Sequence, residues 1–173
     1  ASDVRNLKGP KTYLDFETIQ FSVPEIVGTR PYEQLPFQWS VHVEDTKGKL
    51  SHAEHRSLEA CGDFAPLAKN LVDATPRQGP VFAYNATFER KVLEGLATWL
   101  PKRGAGLRSI AQRLVDLLPV TKAAYYHRDM MGSWSIKNVL PTLAPELGYS
   151  TLGAVQGGEE AQMAFLELRE PST

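Results

Sequence analysis

Residues Tyr13-Leu14-Asp15-Phe16-Glu17-Thr18-Ile19 set two carboxylates two positions apart in a run that is otherwise aromatic, aliphatic or β-branched. Such a run predicts a strand, in which side chains two apart share a face. Asp15 and Glu17 then point one way and Leu14 and Phe16 the other, with the acids about 7 Å apart at their Cα atoms. Acids so spaced are commonplace on the wet face of an antiparallel strand. Here, however, Tyr13 and Ile19 share their side, so neither face reads as plainly solvent-facing and the pair fits a pocket. Like charges held together out of water are strongly unfavourable unless donors or a cation offset them, and a divalent metal is the simplest offset.

The 173 residues suffice for one domain with a sizeable core, and 42% hydrophobic with 23% charged residues is ordinary globular composition. With 19 basic and 20 acidic residues the net charge is −1, so no global field favours nucleic acid or an anionic membrane. Polyanion binding must therefore be local, or carried by metal ions. The single Cys61 excludes an intramolecular disulfide and a cysteine-based zinc cluster, and fits a reducing compartment. No run approaches the ~20 apolar residues of a membrane helix, and the N-terminus shows no secretory h-region. The expectation is a soluble, cytoplasmic protein with no membrane partner. A start at Ala1 and an end at Glu170-Pro171-Ser172-Thr173 suggest a piece of a longer protein, whose other domains would be partners.

Residues 1–11 read as a polar lead-in closed by Gly9-Pro10, and residues 169–173 as a tail. Between them, 12–168 read as one domain. The first strand covers about 12–18. Pro36 to Val43 alternates with Phe37, Trp39, Val41 and Val43 on one face; a turn at 45–49 and a weaker strand at 50–56 complete an antiparallel meander. Residues 63–72 predict a helix capped by Asp63 and broken by Gly79-Pro80, and 81–84 a short strand. The spacing Phe88, Val92, Leu93, Leu96, Leu100 predicts a helix over 86–100, ended by Pro101. Another helix is expected at 107–114, an extended piece at 115–118, an aromatic and glycine-containing loop at 121–136, and helices at 135–143 and 159–168. Strands followed by strand–helix alternation imply an α/β fold: a mixed sheet whose parallel part is joined by helices.

Glu89 stands at a strand-to-helix junction, three and four residues before Val92 and Leu93, on the core-facing edge of its helix. Glu160, or its neighbour Glu159, opens the last helix. Each could simply complement a helix dipole.

Taken jointly, these motifs resemble the DEDD superfamily of 3′-to-5′ exonucleases, the proofreading-nuclease branch of the ribonuclease H-like fold. Asp15-Phe16-Glu17-Thr18 resembles the first motif and Asn85-Ala86-Thr87-Phe88-Glu89 the second, with Glu in place of Asp. Ser135-Ile136-Lys137-Asn138-Val139-Leu140 resembles the helix before the third motif, and Glu160-Ala161 falls where the last Asp-Ala is expected. The run from Ser133 to Tyr149, with Tyr13–Ile19 and Pro36–Ser40, also resembles an uncharacterised bacterial domain family assigned to that superfamily.

The resemblance implies a mixed five-stranded sheet flanked by helices, and hydrolysis of the terminal phosphodiester of DNA or RNA. It implies two ions, Mg²⁺ or Mn²⁺, held by Asp15, Glu17, Glu89 and Glu160, with a nucleic-acid 3′ end or short oligonucleotide as partner. Thr18, Asn85 and Phe88 would line the terminal nucleotide's pocket and Lys137 would meet a phosphate; for Phe88 an anchoring role in the core is the alternative. Members normally carry His or Tyr as base five or four residues before the last acid, where this chain has Val155 and Gln156. A metal-bound hydroxide, or His127 or Tyr126 from the aromatic loop, would have to substitute, or catalysis is slow or lost. Asp116 matches an acid common between the second and third motifs, but a cap or turn role is the simpler account. His42, His52 and His55 read as surface or hydrogen-bonded residues. The alternative function is a catalytically weak or inactive module that binds nucleic acid or a partner, and a third is an endonuclease of transposase or Holliday-resolvase type.

Overall fold

The computed structural model describes residues 4–57, 64–147 and 158–169. β1 (Lys11–Ile19), β2 (Leu35–Glu44) and β3 (Leu50–Arg56) form the expected antiparallel meander. At its turn Asp45 Oδ1 accepts hydrogen bonds from the Lys47 and Lys49 N–H groups at 2.8 and 2.9 Å. β4 (Val81–Ala83) runs parallel to β1, and β5 (Leu114–Asp116) parallel to β4. The resulting order β3-β2-β1-β4-β5 is a mixed five-stranded sheet flanked by helices, the α/β, ribonuclease H-like arrangement anticipated from the sequence.

α1 (Phe64–Ala74), α2 (Thr87–Trp99) and α3 (Gly104–Gln112) cover one face of this sheet. Leu67 and Leu71, then Val92, Leu93 and Leu96, then Leu107 and Ile110, recur three or four apart and so form one apolar stripe on each helix. The stripes pack on Leu14, Phe16, Trp39, Val41 and Val81, and Trp39 Nε1 donates to the Leu67 carbonyl at 2.9 Å. Each large side chain so buried contributes about 1.5–3 kcal/mol. That packing fixes which way β1 faces: Leu14 and Phe16 point inward, and Asp15 and Glu17 point to the other side. Beside it, β4 is drawn against the start of β1 by Gly79, whose φ of +88° and whose approach to the Pro10 carbonyl leave no room for a Cβ.

A second cluster joins Ile19, Phe21, Leu35 and Phe37 to Phe165 of α6 (Gly158–Arg169), with the Phe37 and Phe165 rings stacked at 4.4 Å. Here one sequence expectation fails. The β1–β2 register shifts between Glu17 and Thr18, so alternation breaks and Thr18 and Ile19 are both buried. Ile19 belongs to this second cluster, not to the wall of an acid pocket.

The other departures are local. α3 begins at Gly104, and β5 is confined to Leu114–Asp116 because Leu117–Ala124 forms α4 where extended chain and loop were expected. The Asp116 carboxylate caps α4, accepting from the Leu118 N–H at 2.9 Å, and Pro119 lies in the first turn, where a missing N–H is tolerated. α1 stops before Thr75-Pro76 rather than at Gly79. The expected helix at 135–143 is α5 (Ile136–Leu143), with Ser135 as its cap. Cys61 and the proposed Asp63 cap lie outside the described residues.

Candidate functional site

β1, β4 and β5 are parallel, so their C-terminal ends open on one edge of the sheet, where open α/β sheets place their ligands. Asp15 and Glu17 stand on the outer half of β1, Asn85 follows β4, Glu89 lies in the first turn of α2, and Asp116 ends β5. The structure thus brings together four acids from three separate stretches of chain.

Their electrostatics report the convergence. Asp15 reaches solvent through the cleft mouth, yet protein surrounds most of it, and that burial raises its carboxyl against the opposing pull of the Phe16 N–H. Glu17 is raised by burial first and then by the Asp15 charge, with Lys137 of α5 acting the other way. Glu89 is only 4% exposed. Burial, helped by Asp15 and Asp116 and opposed by its own N–H, pushes its carboxyl from 4.5 up to about 7. Its Oε2 is buried without a hydrogen-bond partner.

The backbone around Glu89 is held by the neighbouring strand end. Asn85 adopts the left-handed conformation at φ +66°, which asparagine tolerates, and turns β4 sharply into α2. Its N–H donates to Asp116 Oδ1 at 2.9 Å, the oxygen that also caps α4, so Asp116 acts as the cap the sequence favoured and as a clamp between two strand ends. The Tyr84 hydroxyl donates to the Trp134 carbonyl at 2.8 Å, pinning the aromatic loop beside the cleft.

The remaining sequence candidates scatter. Phe88 packs against the main core and Thr18 is 6% exposed. Lys137 is exposed on the first turn of α5, within electrostatic reach of Glu17. His127 Nδ1 accepts from the Asp129 N–H at 3.3 Å, capping its own short turn, while Tyr126 is 64% exposed against the Trp134 ring. Glu159 and Glu160 open α6, as expected, but their side chains lie outside the described residues, as do Val155 and Gln156. Among the described residues, no group of three or more His, Cys, Asp or Glu side chains is placed to hold a metal ion. The sequence reading overlooked a cavity of about 390 Å³ beside Asp15, walled by Tyr13, Ser40, His42, Phe82 and Tyr84. The only signal for it was Tyr13, already placed on the acids' side of β1.

Comparison with known proteins agrees with this fold. The chain is 30% identical over 181 aligned residues to the uncharacterized protein MG366 homolog of Mycoplasma pneumoniae, and 27% identical over 180 to the uncharacterized protein MG366 of Mycoplasma genitalium. These alignments cover 91% and 92% of the chain but only 26% and 27% of the relatives, so the chain spans about a quarter of their length. Among solved structures, a chain of an ExoI/SSB-Ct complex superposes with a TM-score of 0.52 at 15% identity, covering 95% of this chain and 42% of that one. The two share a fold. No helix among the described residues is long and apolar enough to cross a membrane. The model of a domain of unknown function, DUF2779, matches residues 12–135, most of the length that carries the sheet and its acids, and the chain belongs to that family.

Proposed function

We propose that this domain is a metal-dependent 3′-to-5′ exonuclease of the DEDD type, which hydrolyses the terminal phosphodiester bond of DNA or RNA. The observation that carries this is Glu89, a buried carboxyl with an unpartnered oxygen, set among Asp15 and Asp116. A glutamate serving only the helix dipole would sit outward in water. One turned inward among other acids is tolerable when positive charge joins it. The fold shared with the chain of the ExoI/SSB-Ct complex, and the order of the motifs along the sequence, support the same reading.

The donor set fits hard divalent cations, because every candidate ligand is a carboxylate oxygen. Asp15, Glu17 and Glu89, with Glu160 from α6, would hold two ions, Mg²⁺ or Mn²⁺, which when bound supply an activated water and stabilise charge on the departing 3′ oxygen. The chain's own groups do the positioning. Lys137 offsets the Glu17 charge and would meet a substrate phosphate. Asn85, locked by Asp116, would present its amide at the cleft mouth, and Thr18 and Phe88 would support the nucleotide's pocket from behind. In a protein as long as the relatives it matches, the remaining three quarters would supply further partner surfaces.

The test is incubation of 5′-labelled single-stranded DNA and RNA with Mn²⁺ or Mg²⁺. Stepwise shortening from the 3′ end, lost in Asp15→Ala, is the expected result. No shortening of either polymer with either metal refutes the reading and leaves a module that binds without cutting.

A further inference from the structure

One row of the sheet away from Asp15, on the same face, aromatic rings line up across the strands. Tyr13 pairs in register with Phe82 of β4 on one side and His42 of β2 on the other, and His42 pairs with His52 of β3. Four rings therefore cross four strands, a span of about 14 Å at ~4.8 Å per strand. The Tyr13 and Phe82 rings stack at 5.5 Å with 30° between planes, and the His42 and His52 rings at 4.2 Å with 20°. Phe82 forms the floor, whereas Tyr13 is 39% exposed and both histidines face solvent. The His52 ring is further fixed by a 3.1 Å hydrogen bond between its Nε2 and the Ser40 hydroxyl.

Open space adjoins the row on both sides. The cavity of about 390 Å³ leads from Tyr13 to Asp15, and a second of about 290 Å³ leads from Tyr13 toward Lys11; Tyr13 and Phe82 wall both.

We propose that this row is a base-stacking surface for single-stranded nucleic acid, resting on the nuclease reading above only for the direction of the strand, whose end would enter the cleft at Asp15. Every base offers a π-face, so stacking on rings is tolerant of sequence, and rings presented on adjacent strands of a sheet hold the splayed bases of single strands. A duplex keeps its base faces covered and gains nothing from such a row.

The test is fluorescence anisotropy of labelled oligothymidylate and oligouridylate octamers in EDTA, where nothing is hydrolysed. Tyr13→Leu and His52→Leu keep apolar bulk but remove a ring, and each should weaken binding by about tenfold. Tyr13→Phe should bind as the wild type does, and duplex should bind more weakly than single strand. Circular dichroism checks that the variants fold, and His52 sits exposed on an edge strand where replacement is tolerated. Absent binding, binding indifferent to both leucine replacements, or equal binding of duplex overturns the proposal. The two readings fail separately. Ring-dependent binding with no hydrolysis in Mn²⁺ keeps this surface and removes the nuclease, whereas hydrolysis with ring-independent affinity and KM does the reverse.

Discussion

Replacing Glu89 by Gln isolates the most displaced carboxyl of the cleft. The folded protein holds the Glu89 proton up to about pH 7, while the unfolded chain releases it near 4.5. As pH rises, the unfolded state therefore ionises first and gains relative to the fold. The stability contributed by neutral Glu89 is complete below pH 4.5, declines above it, and is gone once pH passes about 7. At 1.36 kcal/mol per pH decade the displacement from 4.5 to about 7 corresponds to about 3 kcal/mol, reduced to about 2 by solvent entering the cleft.

Gln cannot ionise, so urea unfolding of the two proteins at about pH 5 and about pH 8 should show the wild type losing about 2 kcal/mol more than Glu89→Gln over that range. Asp15 and Glu17, raised in the same direction, make both proteins less stable with rising pH, and subtracting the curves removes most of their share. Mn²⁺ added at the higher pH should then recover stability in the wild type, by about 2.7 kcal/mol at a hundredfold excess over its dissociation constant, and far less in the variant. Parallel pH profiles for the two proteins would refute the claim that Glu89 is held neutral by burial. A wild type indifferent to Mn²⁺ at high pH would refute the claim that the cleft exists to take up divalent charge.

Gly79→Ala forces a side chain into the left-handed region and against the Pro10 carbonyl, and should lower the unfolding free energy by about 2 kcal/mol or more; an unchanged urea midpoint would disprove the close approach of β4 to β1. Asp116→Ala removes the α4 cap and the acceptor of the Asn85 N–H, with an expected loss of about 1–2 kcal/mol. The same change removes one negative neighbour of Glu89, so the Glu89 titration seen by carboxyl NMR should move down; movement up, or none, would contradict the cluster.

What the sequence revealed and what it concealed divide along one physical line. Elements written in local periodicity were legible: the meander from Phe37, Trp39, Val41 and Val43, and α2 from Val92, Leu93 and Leu96. So was the outward pairing of Asp15 with Glu17, because strand alternation fixes it. Features set by a partner distant in sequence were not. The shift after Glu17 depends on how β1 meets β2, and no residue within β1 announces it. α4 read as extended chain because Val115-Asp116-Leu117-Leu118 has strand-like composition, while the Asp116 clamp that fixes its start reaches Asn85, 31 residues away. The row Phe82, Tyr13, His42, His52 exists only through the registers of three strand pairings. The reading of those histidines as surface or hydrogen-bonded residues and of Tyr13 as a pocket wall holds, but nothing local in the sequence joins them into a row.

The cleft itself is a place where stability and sequence choice disagree. Glu89 occupies the first position of the stripe Glu89, Val92, Leu93, Leu96, where the helix packs and where leucine would contribute about 1.5–3 kcal/mol by burial. A buried carboxyl with an unpartnered oxygen does the opposite. Its neighbours compound the cost, since Asp15, Glu17 and Glu89 are all shifted toward protonation and the Asp15 charge raises both of the others. Lys137 offsets Glu17 alone. Dispersed surface charge relieves such groups poorly, whereas a divalent cation of the kind proposed would offset their charge at close range. A chain that elsewhere follows the packing rules breaks them at the shared edge of three parallel strands, and the cation site proposed above would account for that local departure.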